Sequence, residues 1–216
     1  LRMFELVLQG FWESLYMTLL STVAAYLIGL PLGLILVATD ADGVSPCKPV
    51  HTSLGIFINI LRSIPFLLLM ITVRPITKFT MGTTIGSPAT IVPLVIAAAP
   101  FIARLVESSL KEVDRGVVEA AQSMGATPRE IMLKVLFPEA KPSLLVGSAI
   151  AVTTILGYSA SAGIVGGGGL GAIAINYGYY RNQTEYMLPM VAILVLMVQV
   201  FQEMGMRAVR IVDKRQ

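Results

Sequence analysis

Charge is what this sequence has least of. Asp, Glu, Lys and Arg make up 13% of its 216 residues while 55% are hydrophobic, and the mean hydropathy is +0.77. Ordinary soluble domains carry roughly 25% charged residues. A soluble globular class is therefore set aside, and one integral membrane domain over residues 1–216 is expected. The single cysteine, Cys47, excludes an internal disulfide. The single histidine, His51, has no ligand-type partner near it in the chain, so no metal site is expected. No Gly-Lys pair occurs, which removes the phosphate loop G-x-x-x-x-G-K-[ST] and a nucleotide site of that kind. Apart from Arg62, with Glu203 near one end, the apolar runs hold almost no ionisable group. Proton- or ion-coupled carriers normally need acids or histidines inside the membrane, so that class is set aside too. No catalytic or cofactor-binding residue is expected, and the 11 methionines read as filler for irregular helix packing.

What is present is a series of apolar runs of the roughly 20 residues that cross a bilayer. The first, Ser14 to Thr39, is uncharged. A signal peptide would carry a basic start and a shorter core, whereas Arg2 is offset by Glu5 and Glu13, so a retained helix is expected. Gly29, Pro31 and Gly33 predict a close-packing face beside a kink. A polar loop follows from Asp40 to Pro49. The second span, about Ser53 to Val73, contains Arg62 and is bent by Pro65. Arg62 reads either as an anchor at a helix end or as a contact with the pathway or the polar segment described next. The third span is expected over Phe79 to Ala103, continuing past Arg104 into water. The fourth covers Pro142 to about Ser161 and runs into a glycine cluster, Ala162 to Gly171. Gly166, Gly168 and Gly171 match G-x-G-x-x-G, but no strand precedes them and no acid follows about 20 residues on. Close backbone approach and a re-entrant turn are expected there instead. The last span is about Glu185 to Met206. The fold class is all-α, with five transmembrane helices.

Between the third and fourth spans lies a charged island, about 112–138. Asp114 predicts an N-cap for a helix with apolar stripe Val117, Ala120, Ala121 and Met124. Gly125 stands where a left-handed residue ends a helix. Thr127-Pro128-Arg129-Glu130 predicts a capping box with proline in the first turn, and Pro138 is expected to stop the second helix.

This island resembles a family motif. The inner-membrane permeases of ABC importers share a cytoplasmic loop of the form E-A-A, three residues, G, nine residues, I-x-L-P. Glu119, Ala120, Ala121 and Gly125 match it, and Val135-Leu136-Phe137-Pro138 follows at the matching distance with Val for Ile and Phe for Leu. In that family the two helices dock into a groove of the ATPase subunit. The resemblance thus implies ATPase-coupling roles for Glu119, Ala120, Ala121, Gly125, Ala126, Thr127, Pro128 and Pro138. A DNA-reading helix-turn-helix has a similar bend, but one tethered between two spans could hardly enter a major groove, and no nucleic-acid partner is expected. The strings Arg62-Ser63-Ile64-Pro65-Phe66, Ala99-Pro100-Phe101-Ile102-Ala103-Arg104, Gly157-Tyr158-Ser159-Ala160 and Gly168-Gly169-Leu170-Gly171 are most similar to methionine importer permeases.

With the island placed inside, Lys48, Arg104, Lys111, Arg115, Arg129, Lys134, Lys141 and the four basic residues after Met206 are cytoplasmic. Arg2, Arg74, Lys78 and Arg181 then lie outside, which puts the N-terminus outside and the C-terminus inside. Five spans are few for a pathway, and a two-fold pair is the common solution. The resemblance implies a second copy of this chain, two ABC ATPase subunits that bind the ATP, an extracytoplasmic solute-binding lipoprotein and the lipid of a bacterial inner membrane. Tyr158, Ser159 and Ser161 are candidates for the pathway lining or gate; hydrogen bonds to neighbouring helices are the alternative for their hydroxyls. Ser161 stands where methionine permeases can carry a bulkier apolar residue. An importer of another small solute, or a membrane scaffold or channel that does not transport, remains the competing reading.

Overall fold

The computed structural model describes residues 2–212, and no strand occurs among them. Helix α1 runs unbroken over Arg2–Thr39 with Pro31 inside it. Within a bilayer the backbone has no other partner than its own helix. A loop leads to α2 (Lys48–Ser63), which stops at Ile64 and Pro65. Proline disfavours helical geometry at the residue before it and supplies no amide hydrogen, and the break falls there. Helices α3 (Phe66–Thr72) and α4 (Arg74–Met81) follow. Helix α5 (Ser87–Lys111) leads to α6 (Arg115–Ser123), α7 (Pro128–Glu130), a π-helical segment (Ile131–Leu136) and α8 (Phe137–Glu139). Helix α9 (Lys141–Ala162), a 3-10 turn (Gly163–Val165), α10 (Gly169–Ile173), a second π segment (Ala174–Tyr179) and α11 (Thr184–Val212) complete the chain.

Four stretches are long and apolar enough to cross a membrane, and the bent pair of α2 and α3 makes a fifth when taken as one span. The third span begins at Ser87 and not at Phe79. Gly82 takes a left-handed φ of 71° at the end of α4 and Gly86 a φ of 95°, so the chain turns twice where an uninterrupted helix was expected. Phe79 belongs to the separate short helix and is 91% exposed. The last span extends past Met206 to Val212.

The chain divides into two compact units. One comprises Leu1–Ala25, Ile64–Ala98 and Ile150–Glu203. Its core is built on Leu156, Leu170, Ala174, Met190 and Met197, with Phe11 and Phe201 packed against them. The expected reversal lies here. A Cβ on Gly163 would fall 2.5 Å from the nitrogen of Ala172, and one on Gly171 would strike the carbonyl of Ala160, so the two arms run backbone against backbone. Gly166 and Gly169 turn the chain with φ of 90° and 83°. The Glu13 carboxylate accepts from the Gly169 amide at 2.7 Å and from the Ser87 hydroxyl at 2.8 Å. Ser14 Oγ accepts from the Leu170 amide at 2.9 Å. Two free amides at the start of α10 thus find partners on α1.

The other unit comprises Tyr26–Ser63, Ala99–Ala149 and Met204–Gln216. Here Gly29 and Gly33 of α1 meet α5. A Cβ on either would come within 2.6 Å of the Ala99 carbonyl or 2.7 Å of the Ala103 carbonyl. The expected close-packing face is present: the two glycines on α1 lie against Ala99 and Ala103, with Ile102 and Val106 beside them on α5.

Candidate functional site

The island between α5 and α9 is a helix pair whose joints are closed by its own chain. The Asp114 carboxylate accepts from the Gly116 amide at 2.7 Å and caps α6. At the other end the Gly125 amide donates to the Gln122 carbonyl at 2.9 Å and the Ala126 amide to the Ala121 carbonyl at 3.1 Å. That pair of bonds is a Schellman motif, which needs a left-handed residue between them. Gly125 has φ of 79°, and a Cβ there would meet nothing within 4 Å. Backbone conformation, not crowding, asks for glycine.

Thr127 and Glu130 form the reciprocal capping box: the Glu130 amide donates to Thr127 Oγ1, and the Thr127 amide donates to Glu130 Oε2. Lys134 adds a hydrogen bond to Glu130 Oε1 at 2.9 Å. The Lys134 ammonium first, and then the Thr127 donors, pull the Glu130 carboxyl down to about 2.

The second helix does not stop at Pro138. It widens to π geometry over Ile131–Leu136, where the Phe137 amide reaches the Met132 carbonyl, and continues through Pro138 to Glu139. A proline has no amide to donate, and its ring would press on the carbonyl four residues back. A π turn immediately before it re-routes those bonds.

Helix α6 packs against this π segment, yet of its apolar stripe only Ala121 is buried, at 4% exposure. Val117 and Ala120 are exposed, and Met124 is 81% exposed. Glu119, Gly125, Thr127, Pro128 and Pro138 also face outward, with Ala126 half-buried. Beside α6 lies a cleft of about 530 Å³ lined by Asp40, Asp42, Lys111, Arg115, Glu119 and Gln122. Arg115 pairs with Asp42 at 2.6 Å, with both side chains largely exposed.

One cluster escaped sequence reasoning. Glu107 on α5 is 6% exposed. It pairs with Arg104 at 2.6 Å and with Lys111 at 2.9 Å. Lys111 also pairs with Asp40 at 2.6 Å, and that hydrogen bond holds the Asp40 carboxyl below the usual carboxylate range. Ligand atoms of His51, Asp40 and Glu107 lie within 4.8 Å of one another, which the isolated histidine did not suggest. The Lys111 ammonium already supplies the positive charge between the two carboxylates, and His51 Nδ1 points to the Leu36 carbonyl at 3.0 Å. The signal was present in the spacing of Arg104, Glu107 and Lys111, three and four residues apart on one helix face.

Of the three pathway candidates, Tyr158 is half-buried and stacks on Phe66 with ring centroids 4.6 Å apart. Ser161 is half-buried too, its hydroxyl donating to the Gly157 carbonyl at 3.2 Å. Ser159 is buried, and its hydroxyl donates to the Leu156 carbonyl at 2.8 Å. Both serines bond to their own helix. Arg62 is exposed in the last turn of α2.

A family model described as binding-protein-dependent transport system inner membrane component matches residues 29–216. A protein of Vibrio cholerae named as a probable D-methionine transport system permease protein MetI is 48% identical over 98% of this chain and 94% of its own. The Haemophilus influenzae protein of the same name is 41% identical over 99% of this chain and all of its own. Among solved structures, an inward-facing conformation of the MetNI methionine ABC transporter aligns with a TM-score of 0.97 at 42% identity, covering 99% of both chains.

Proposed function

The chain belongs to the family of binding-protein-dependent transport system inner membrane components, and on that premise we propose that it is the permease subunit of an ATP-driven methionine importer. One observation carries the coupling part of this reading. A helix pair closed by an N-cap, a Schellman motif and a capping box presents Val117, Ala120 and Met124 without a cover among the described residues. An apolar ridge rimmed by charge on a fixed scaffold is what a partner's groove requires. The chain has no phosphate loop of its own, so the partner is an ATPase subunit and ATP is bound there. The names of the relatives support methionine as the solute.

In this reading two copies of the chain form the pathway, two ATPase subunits dock on the two coupling segments, and a solute-binding lipoprotein delivers the ligand from outside. The island and the C-terminus face the cytoplasm, in line with the basic residues that flank them. Closure of the ATPase pair moves the coupling helices together and switches the pathway from inward- to outward-facing. Glu119, Ala120, Ala121, Gly125, Ala126, Thr127, Pro128 and Pro138 form the coupling element. Tyr158 and Ser161, three residues apart on one helix face, are the candidates for the lining, with Ser159 supporting them from inside.

The test is uptake of labelled L-methionine by cells expressing this chain with an ATPase subunit and a solute-binding protein of the same system. Saturable uptake that is lost on ATPase inactivation and competed chiefly by methionine supports the reading. Energy-dependent uptake competed by another solute keeps the permease and removes methionine. Absence of any uptake, with all three proteins in the membrane, favours a non-transporting scaffold. Unchanged uptake and preference in Ser161→Met and Tyr158→Phe would remove the lining assignment.

A further inference from the structure

Helix α2 is attached within its unit by little apolar contact. Only Gly55 and Ile58 of its 16 residues are buried, and the cluster around Ile58 consists of Leu36 and Ala103 with Leu32 and Leu54 beside them. The stronger tie is polar. Arg104 on α5 donates to the Asn59 side-chain oxygen at 2.9 Å and to the Gly55 carbonyl at 3.2 Å. The Nε of Arg104 is buried without a partner, so the side chain is held through its terminal nitrogens alone. What aims those nitrogens is Glu107, one turn along the same helix, at 2.6 Å.

The same carboxylate aims a second cation. Glu107 Oε1 accepts from Lys111, whose ammonium reaches Asp40 in the loop after α1. One buried acid thus sets two cations, one directed to α2 and one to the 40–47 loop. Both directions start from α5, which passes through residues 112–114 into the Asp114 cap of the coupling helix α6. A displacement of α6 is carried into α5 by the continuous chain. It reaches α2 through the charged hydrogen bonds of Arg104 and the loop through the Lys111–Asp40 pair; α6 also holds the loop directly by Arg115–Asp42, but that pair is largely exposed and weaker for it.

We propose that Glu107 is a positioning residue for transport: through Arg104 and Lys111 it fastens α2 and the 40–47 loop to the helix that carries the coupling element, so that they move as one body. The proposal rests on the permease reading given above. Its consequence is specific. With the tie cut, ATP is still hydrolysed when the ATPase subunits close, but less of the movement reaches the helices, and more ATP is spent for each solute carried.

The experiment uses the assembled permease–ATPase complex in proteoliposomes with its binding protein, measuring ATP hydrolysed and methionine accumulated in the same sample. Two variants are compared with wild type. Glu107→Gln removes the charge that aims both cations. Asp40→Asn combined with Asn59→Ala weakens both side-chain destinations, leaving Arg104 only the Gly55 carbonyl on α2, at positions that are half-exposed or exposed, and keeps the result readable if the buried substitution lowers assembly. Both are expected to raise the ATP consumed per methionine by about five-fold or more, the lower end of ordinary site-to-site coupling, with hydrolysis itself retained. A wild-type ratio in assembled variants that have only lower yield or melting temperature would mean a structural role and overturn the inference. Absence of ATP-driven methionine uptake by wild type would overturn the permease reading and this inference with it. A coupled wild type with unchanged ratios in both variants would overturn the inference alone.

Discussion

The coupling island and the glycine-rich reversal both depend on glycine, and for different reasons. At Gly125 a side chain would meet nothing, and only the left-handed φ of 79° asks for glycine. At Gly171 an added Cβ would strike the backbone of Ala160. The first is a demand of local hydrogen bonding, complete within 114–130. The second is a demand of distance between two arms of the chain. A substitution in the reversal should therefore act on folding, whereas one in the island should act on how the segment is presented to a partner.

The largest effect expected from this contrast is at Gly171. Gly171→Val places new atoms into backbone, which cannot swing aside, and should cost about 3 kcal/mol, the upper part of the range for overpacking. Gly157→Ala is the control on α9: a Cβ there meets nothing within 4 Å, so its effect should be within about 1 kcal/mol and stabilising on helix propensity. Thermal unfolding of the purified chain in detergent compares them. Equal melting temperatures would mean that the arms do not approach closely. Next comes Glu13→Gln, which weakens a carboxylate accepting from the Gly169 amide, the Ser87 hydroxyl and the Gln9 amide. Hydrogen bonds to a charged group contribute about 1.5–3 kcal/mol, and the same melting experiment should show a loss in that range. A wild-type melting curve would remove Glu13 as the partner of α10.

How much of this was legible follows the same division. Asp114, Gly125, Thr127 and Glu130 could be assigned from sequence because every partner lies within six residues. Apart from Gln9, the partners of Glu13 are 74 and 156 residues away, and no local pattern connects it to them. In the sequence Glu13 stands only as an offset to Arg2. The early start assigned to the third span has a related cause: Phe79 to Ala103 carries no charge, so hydropathy could not see the turns at Gly82 and Gly86. The Glu107 cluster has a local signature, since Arg104 and Lys111 stand one turn away on either side. Pro138 shows a local rule overridden: a π turn lets the helix pass a residue that ordinarily ends one.

A smaller effect is expected at Gly125. Gly125→Ala forces an L side chain into the left-handed region at about 1–2 kcal/mol, with no clash added. The spans should stay folded while ATP hydrolysis and uptake lose their proportion. Normal coupling in a folded Gly125→Ala complex would count against α6 as the docking element.

The smallest effect concerns protons. The folded Glu130 carboxyl titrates at about 2, below its ordinary 4.5, because the charged form accepts from Lys134 and from Thr127. A carboxyl with a lowered value favours the folded form above its ordinary range, and that contribution is lost as pH falls from about 4.5 towards 2. The capping box should therefore be fully formed at neutral pH and open progressively on acidification. Hydrogen exchange at the Thr127 and Glu130 amides reports it directly, as both are box donors. Relative to the intrinsic exchange rate at each pH, Glu130→Gln should leave the Thr127 amide less protected at neutral pH and its protection much less sensitive to acid. Thr127→Ala should speed the Glu130 amide and cost about 1 kcal/mol locally, the usual value of an N-cap. If acid loosened the box equally in Glu130→Gln, the titrating group would lie elsewhere, and the joint between the two helices would owe its shape to the Schellman turn at Gly125 alone.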